Sequence, residues 1–463
     1  MAKYRTEGDF LGKVKVPSAA YYGSETERAR ELFQISGLHV RKEFIRTYAI
    51  VKRSAALANM KVGKLDKKRG TAIVKACDEI ISGKLMDQFD LDIFQAGAGT
   101  NTNMNVNEVI ANRAIERLGG RKGNYRLIHP NDHVNMSQST NDTYPAAMHI
   151  STYLALKERL LPALELLKKM MRRKAMEFAA IPKIGRTHLQ DAVPLFLGDE
   201  FAGYEAAVER QLEHIKRSAE TLLPLSLGGT AVGTGIEASR DYSRAVIEEI
   251  NRFTKVRFRL ARNFFDIQQS SNEEEWVGSA LKDLAIALNK IANDLRLMSS
   301  GPVAGFSDLV LPPVMPGSSI MPGKINPSVP EMLNMVCFDV IGKSTTIEHA
   351  IEGGQLELNV YMPLISQNLL ASIDIMSRAI DVFTKKCVSG IKANEARMSE
   401  NLERDLSIAT ALAPYIGYAE ASEIAKRARK EGKTVKEVAL ERKILPRREL
   451  DRILDPKRMI KRK

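Results

Sequence analysis

One feature narrows the fold of this 463-residue chain more than any other: apolar residues that recur at steps of three and four over long stretches. Leu281, Leu284, Leu288, Ile291, Leu295 and Met298 keep that rhythm without a break. Phe201, Tyr204, Val208, Leu212, Ile215, Ala219 and Leu222 nearly do the same, and Leu156, Leu160, Ala163, Leu167 and Met170 form a third seam. This spacing gathers each set on one narrow helical stripe, as in bundles and coiled coils. The expected fold is mainly α, with a long central helical bundle. Seams of this length exceed what one small bundle buries, which implies that several subunits pack their helices together. Glu273-Glu274-Glu275 suits the positive end of one long helix, and Gly301-Pro302 stops it. Pro162 lies inside the third seam, so that helix is expected to kink or to start there.

The flanks read differently. Residues 1–138 mix amphipathic helices at 43–60 and 67–81 with loops at Phe10-Leu11-Gly12 and Tyr21-Tyr22-Gly23. The stretch 95–107 is rich in Gly, Thr and Asn, whose side chains compete with regular backbone pairing. A loop is expected there, leading into a helix near Glu108. Residues 139–395 carry the seams. Residues 396–463 are more charged, with an apolar run at 406–419 and short helices at 420–430 and 435–442, and read as a small C-terminal helical domain.

Charge and cysteine usage exclude several classes. The net charge of +13 raises nucleic-acid binding, yet Lys and Arg mix with Asp and Glu almost everywhere. The basic excess at Arg447-Arg448 and Lys457 to Lys463 has no interleaved aromatics to stack on bases, so it reads as a solvated tail. Nucleic acid is not an expected partner; the positive field suits an anionic small molecule. No apolar run is long enough to span a bilayer, and the charged N-terminus lacks the apolar core of a signal peptide. Three widely spaced cysteines, Cys77, Cys337 and Cys387, point to reduced thiols, a cytoplasmic location and no zinc site.

Four polar clusters carry the chemistry. Residues 316–327 (Pro-Gly-Ser-Ser-Ile-Met-Pro-Gly-Lys-Ile-Asn-Pro) hold too many Gly and Pro for a helix or strand. They supply Ser318, Ser319, Lys324 and Asn326 just before an apolar helical run. Asn326 is placed to cap that helix and Pro327 to begin it, so its first N–H groups and Lys324 would form an anion site. Gly317 and Gly323 can act as hinges of a lid, although the composition also suits a plain solvated connector. Gly97-Ala98-Gly99-Thr100-Asn101-Thr102-Asn103 offers neutral donors beside glycines that allow close approach, or simply an Asn-rich capping loop. Ser139, Thr140 and Asn141 are adjacent donors where an N-cap is expected in any case. His129 and His133 flank Asp132, but no third ligand follows at helical spacing and Pro130 spoils a helix there, so no metal is expected. Gly185-Arg186-Thr187-His188 surrounds a histidine with polar neighbours, which suits either catalysis or a structural role. Neutral donors with one lysine and one histidine suit a small di-acid, and suit neither hydride nor phosphoryl transfer.

These segments resemble, in wording, order and spacing, the four polar segments of the fumarase/aspartase superfamily, over most of the chain. The resemblance implies a mainly α, three-domain fold whose long central bundle forms the core of a homotetramer, with each active site drawn from three subunits. It implies no cofactor and a reversible anti elimination that turns a succinate-like substrate into fumarate. By the same resemblance Ser318 is the base, acting as an alkoxide near loop N–H groups and Lys324. Ser319, Lys324 and Asn326 bind carboxylate oxygens, with Thr100, Ser139 and Thr140 completing the carboxylate pockets. Asn141, Thr187 and His188 face the leaving group or α-carboxylate, and Glu331 orients His188. Thr140 in Ser-Gln-Ser-Thr-Asn, Val329-Pro330-Glu331 and Gly354-Gln355-Leu356-Glu357-Leu358-Asn359 resemble the aspartate ammonia-lyase branch. Residues 104–108 and Gly228-Gly229-Thr230-Ala231-Val232-Gly233-Thr234-Gly235 lean toward the class II fumarate hydratase branch. Gly342-Lys343-Ser344 departs from both and bears on packing rather than on chemistry. A helical assembly protein that keeps the fold without the reaction is the remaining alternative.

Overall fold

The structure is a computed structural model that describes residues 3–460. The extreme ends of the two termini read above, Met1-Ala2 and Lys461 to Lys463, lie outside the described residues. The chain opens with an antiparallel hairpin, β1 (Tyr4–Asp9) and β2 (Gly12–Pro17), closed by the expected turn at Phe10-Leu11. Then come α1 (Ser24–Leu32), α2 (Lys42–Lys61) and α3 (Lys67–Ile81), the last two within two residues of their expected bounds. Asp66 caps α3 by accepting from Arg69 N at 3.0 Å.

Two expectations are corrected nearby. The next helix, α4 (Thr100–Arg117), starts at Thr100 rather than near Glu108. Its asparagines do not compete with the helix because tertiary partners occupy them. Asn103 accepts from Tyr48, Asn105 donates to Gln88 O, and Asn107 donates to Asn135. Pro130 does not spoil the segment after it, because Pro130–Val134 is one turn of π-helix. Proline takes its first position, where no N–H is required.

Helix α5 (Thr140–Ala155) passes through a π turn, Leu156–Leu160, into α6 (Leu161–Glu177), so a helix does begin beside Pro162. Leu156, Leu160 and Leu167 are buried as expected, but the wider turn shifts two other positions of the stripe. Leu164 and Met171 are buried where Ala163 and Met170 were expected. A hairpin unforeseen in the sequence follows, β3 (Pro182–Thr187) and β4 (Gln190–Phe196). Apart from four two-residue strands, the regular structure that follows is helical: α7 (Leu197–Glu220), α8 (Arg240–Thr254), α9 (Phe264–Gln269), α10 (Asn272–Met298), α11 (Ser328–Glu352), α12 (Met362–Lys386) and α13 (Glu395–Arg404). After α13 come α14 (Ala413–Ile416), α15 (Tyr418–Glu431), α16 (Val435–Glu441), α17 (Arg447–Ile453) and α18 (Pro456–Met459). The seam residues of α7 and α10 are all buried, and the mainly α architecture is the one the periodicity demands.

The chain divides into two compact units. The first comprises Met1–Pro162, Glu213–Asp283 and Phe338–Met376. Within it α2 lies against α3, α5 and α8, and α4 packs on α3 and α1. The second comprises Ala163–Leu212, Leu284–Cys337 and Ser377–Lys463. Its C-terminal part has its own apolar cluster around Ile408, Leu412, Ile424, Val438 and Leu450. Here the solvated-tail reading needs correction. Arg447, Arg448, Lys457 and Arg458 are exposed, but Leu450, Ile453 and Leu454 between them pack into that cluster. Among the described residues no helix is long and apolar enough to cross a membrane. Cys77, Cys337 and Cys387 are free and buried.

Candidate functional site

In the first unit the segment Ser139-Thr140-Asn141 sits at the start of α5. Ser139 is the N-cap: its hydroxyl accepts from Asn141 N at 3.2 Å, and its own N–H donates to Asp142 Oδ1 at 3.0 Å. Asp142 Oδ2 accepts from Gly228 N and Thr230 N, each at 3.0 Å. Asn141 Nδ2 donates to Ala231 O at 2.7 Å, and Gln268 Nε2 donates to Asn141 O at 3.0 Å and Thr230 O at 2.7 Å. The glycine-rich loop 226–235 is thus bound to the donor segment by both main chain and side chains. Gly228 has φ of +96°, and a Cβ there would lie 1.8 Å from Ser243 Oγ, so only glycine fits. Burial pushes the Asp142 carboxyl up to about 6, against the pull of the Ser139, Gly228 and Thr230 N–H groups.

Helix α2 supports the same segment through residues that sequence reasoning missed. The Tyr48 hydroxyl lies 2.9 Å from both Asn103 Oδ1 and Thr143 Oγ1. Lys52 Nζ donates to Asn135 Oδ1 at 2.8 Å and Gln138 Oε1 at 3.1 Å. Asn59 Nδ2 donates to Met136 O at 2.9 Å, and its Oδ1 accepts from Ser137 Oγ at 3.0 Å. The signal was available: 48, 52 and 59 share the buried stripe of α2, where polar residues at apolar positions need partners. Thr100 stands exposed at the first position of α4. Before it Gly99 has φ of +79° and leaves only 2.1 Å between a built Cβ and the Tyr144 ring, which sets the approach of α4 to α5.

The second unit holds the rest. In the loop 316–327, Ser318 Oγ accepts from Ile320 N at 3.2 Å and Met321 N at 3.0 Å. The loop closes on itself through Gly317 N to Lys324 O at 3.0 Å and through the Asn326 amide, which donates to Gly317 O. Asn326 is therefore a strut rather than the N-cap; α11 begins at Ser328, one position later than expected. A Cβ on Gly317 would lie 2.3 Å from Lys324 O. Ser319 and Lys324 are exposed.

Thr187 and His188 occupy the exposed end of the β3–β4 hairpin. Thr187 pairs with Gln190, leaving His188 and Leu189 as a two-residue turn with φ of +53° and +58°. Two positive φ values suit the right-handed twist of a hairpin, but neither residue is the usual Asn or Gly, so the turn carries strain. The hairpin is moored by Lys183, whose buried Nζ lies 3.0 Å from Glu200 and 3.2 Å from Asp308; Asp308 also pairs with Arg186. Glu331 faces Arg296 at 3.9 Å, and among the described residues no hydrogen bond or ion pair joins it to His188.

Two other clusters have structural explanations. His129 Nδ1 accepts from Asn131 N and Asp132 N, and His133 Nδ1 accepts from His129 N, so each ring shapes the turn. His149, Glu273 and Glu274 bring their ligating atoms within 4.8 Å of one another. However, His149 Nδ1 lies 2.8 Å from Pro224 O and Nε2 lies 3.0 Å from Glu274. Burial opposes the imidazolium, yet Glu274 outweighs it and holds the group up at about 9. The pair is a buried ion pair that fixes α5.

The chain is similar over its whole length to known lyases. Residues 12–342 match a family model described as "Lyase", and residues 408–461 match "Fumarase C C-terminus". An aspartate ammonia-lyase from Bacillus sp is 49% identical, covering 98% of this chain and 97% of that one. A class II fumarate hydratase from Bradyrhizobium diazoefficiens is 47% identical, covering 99% and 97%. Among solved structures, a fumarate lyase:delta crystallin from Brucella melitensis bound to cobalt superposes with a TM-score of 0.96 at 45% identity, covering 99% of each chain. A class II fumarase from Schistosoma mansoni gives 0.95 at 37% identity, also covering 99% of each. A helical chain with this donor segment and this serine loop, similar over its whole length to such enzymes, belongs to the fumarase/aspartase superfamily of lyases.

Proposed function

We propose that the chain is an aspartate ammonia-lyase that reversibly converts L-aspartate to fumarate and ammonia. The chemical difficulty is a weakly acidic Cβ proton. Its removal leaves a carbanion that delocalises into the neighbouring carboxylate, and donors aimed at that carboxylate supply several kcal/mol. The observation that carries the reading is at Ser318. A serine hydroxyl is a poor base, and its anion needs fixed N–H groups. Ser318 Oγ already accepts from Ile320 N and Met321 N.

The alkoxide takes the Cβ proton, the Cα–N bond breaks, and its electron pair leaves with ammonia as the Cα–Cβ double bond forms. Ser319, Lys324 and Asn326 hold the carboxylate that becomes the enediolate, with Thr100, Ser139 and Thr140 completing the pockets. Asn141, Thr187 and His188 face the amino group and α-carboxylate. His188 takes its orienting carboxylate, Glu331, from another copy of the chain.

Assembly into a homotetramer follows from the same reading. Thr100, Thr187, His188, Ser319 and Lys324 are all exposed in one chain, as an active site shared between copies requires. Trp276 and Ile286 on α10, and Met335 and Phe338 on α11, expose apolar surface that such packing would cover. The divisions at 138 and 395 serve as domain boundaries in this scheme, and the free buried thiols suit a cytoplasmic enzyme.

Thr140 and the 329–334 and 354–359 segments favour aspartate. The second reading, a class II fumarate hydratase, draws on the 104–108 and 228–235 segments and on relatives of comparable identity, 47% and 46%, bearing that name. Ultraviolet absorbance of fumarate decides between them. Formation from L-aspartate supports the first reading, formation from L-malate alone supports the second, and formation from neither points to a helical assembly protein without the reaction.

A further inference from the structure

Lysine is almost never fully enclosed unless paired. Lys52 is 0% exposed, yet among the described residues its ammonium has no carboxylate within ion-pair distance. Its partners are neutral: Asn135 Oδ1, Gln138 Oε1, and the face of Tyr48, whose centroid lies 5.3 Å from Nζ. Burying a charge among neutral groups is costly, and a neutral donor would fill a purely structural role more cheaply.

Its position suggests what the charge does. Lys52 holds Gln138, immediately before Ser139. Tyr48, one turn earlier on α2, holds Thr143, two residues beyond Asn141. The helix thus grips the donor triplet at both ends, with a cation behind it.

We propose that Lys52 is the positioning cation of the Ser139–Asn141 segment: its ammonium fixes the donors from behind and favours a doubly charged guest in front of them. This rests on the proposed dicarboxylate lyase reading. The groups facing Lys52 are Asp142 from α5, Cys77 from α3 and Tyr48 on its own helix. Burial keeps the last two neutral. Burial also pulls the Lys52 ammonium down to about 7, with Asp142 opposing. A dianion bound nearby favours the protonated form, so above pH 7 its binding draws in a proton, and by reciprocity its affinity falls as pH rises.

The test is titration calorimetry with succinate at pH 8, in two buffers of different ionisation enthalpy. Wild type takes up about half a proton per site. K52M binds about tenfold more weakly than the permanently charged K52R, the loss of one screened charge contact, and takes up markedly less than wild type. K52R, charged at every pH used, recovers affinity without the uptake. Uptake by K52R or a folded K52M equal to wild type overturns the proposal. Should K52M fail to fold by circular dichroism, K52R against wild type still decides. A wild type that turns over substrate while K52R keeps full uptake refutes Lys52 alone. A wild type that binds no succinate and makes no fumarate refutes the lyase reading, and the role of Lys52 with it.

Discussion

The donor segment at 139–141 and the serine loop at 316–327 are built in opposite ways. Thr140 is buried, Asp142 beneath it is sealed from solvent, and α2, loop 226–235 and Gln268 all bind the segment. The serine loop has Ile320 at 83% exposure and Met321 and Ile325 at 50% each, and the hydrogen bonds that shape it are its own. In the proposed reaction, preorganised donors must be held still to stabilise developing charge, whereas a group that closes on a substrate needs freedom to move. The first region therefore spends its sequence on tertiary anchors, and the second on glycines at 317 and 323.

If that contrast is right, chemistry and stability respond to different residues. The largest effect expected is on rate: S318A lowers kcat by about 10³-fold or more, as for other nucleophile and base deletions, with helical circular dichroism unchanged. A variant that keeps its rate would remove Ser318 from the role of base. In the clamped region the large effect falls on the fold. G228A forces a Cβ against Ser243 at positive φ, and denaturant titration should show a loss of about 3 kcal/mol.

The buried pair behind α5 gives a pH signature. The folded pKa of His149, about 9, lies above the ordinary histidine value. Its contribution to stability is therefore complete below about pH 6.5 and lost as pH rises through about 9. Unfolding of H149Q should differ from wild type by about 2 kcal/mol at pH 6 and by little at pH 9.5. A difference that does not depend on pH would mean a neutral histidine. The smallest stability change is expected at Gly323, where φ is +80° and no atom lies within 4 Å of a built Cβ. G323A should cost about 1 kcal/mol, while slowing turnover severalfold if the hinge matters.

What could be read from the sequence divides along similar lines. The seams of α7 and α10 were legible because burial of one helix face imposes a period that no other structure shares. Two positions of the α6 stripe were misplaced by one residue, Ala163 for Leu164 and Met170 for Met171, because a π turn leaves no compositional mark. The β3–β4 hairpin was hidden because its turn uses His188 and Leu189 at positive φ, not glycine or asparagine. The start of α4 was misplaced because local asparagine competition was counted and their distant partners could not be. The resemblance drew attention to residues that the proposed lyase turns toward its substrate, such as Ser318 and Thr140. It passed over Tyr48, Lys52 and Asn59, which act by holding others in place.

Hydrogen exchange of single amides, with and without saturating succinate, tests the central contrast most directly. The account predicts that Gly228 and Thr230 are protected to the same degree in both states, and that Ile320 and Met321 exchange quickly alone and slow at least tenfold with the ligand. Equal protection of the serine loop in both states, or a donor segment that becomes protected only with ligand, would contradict it.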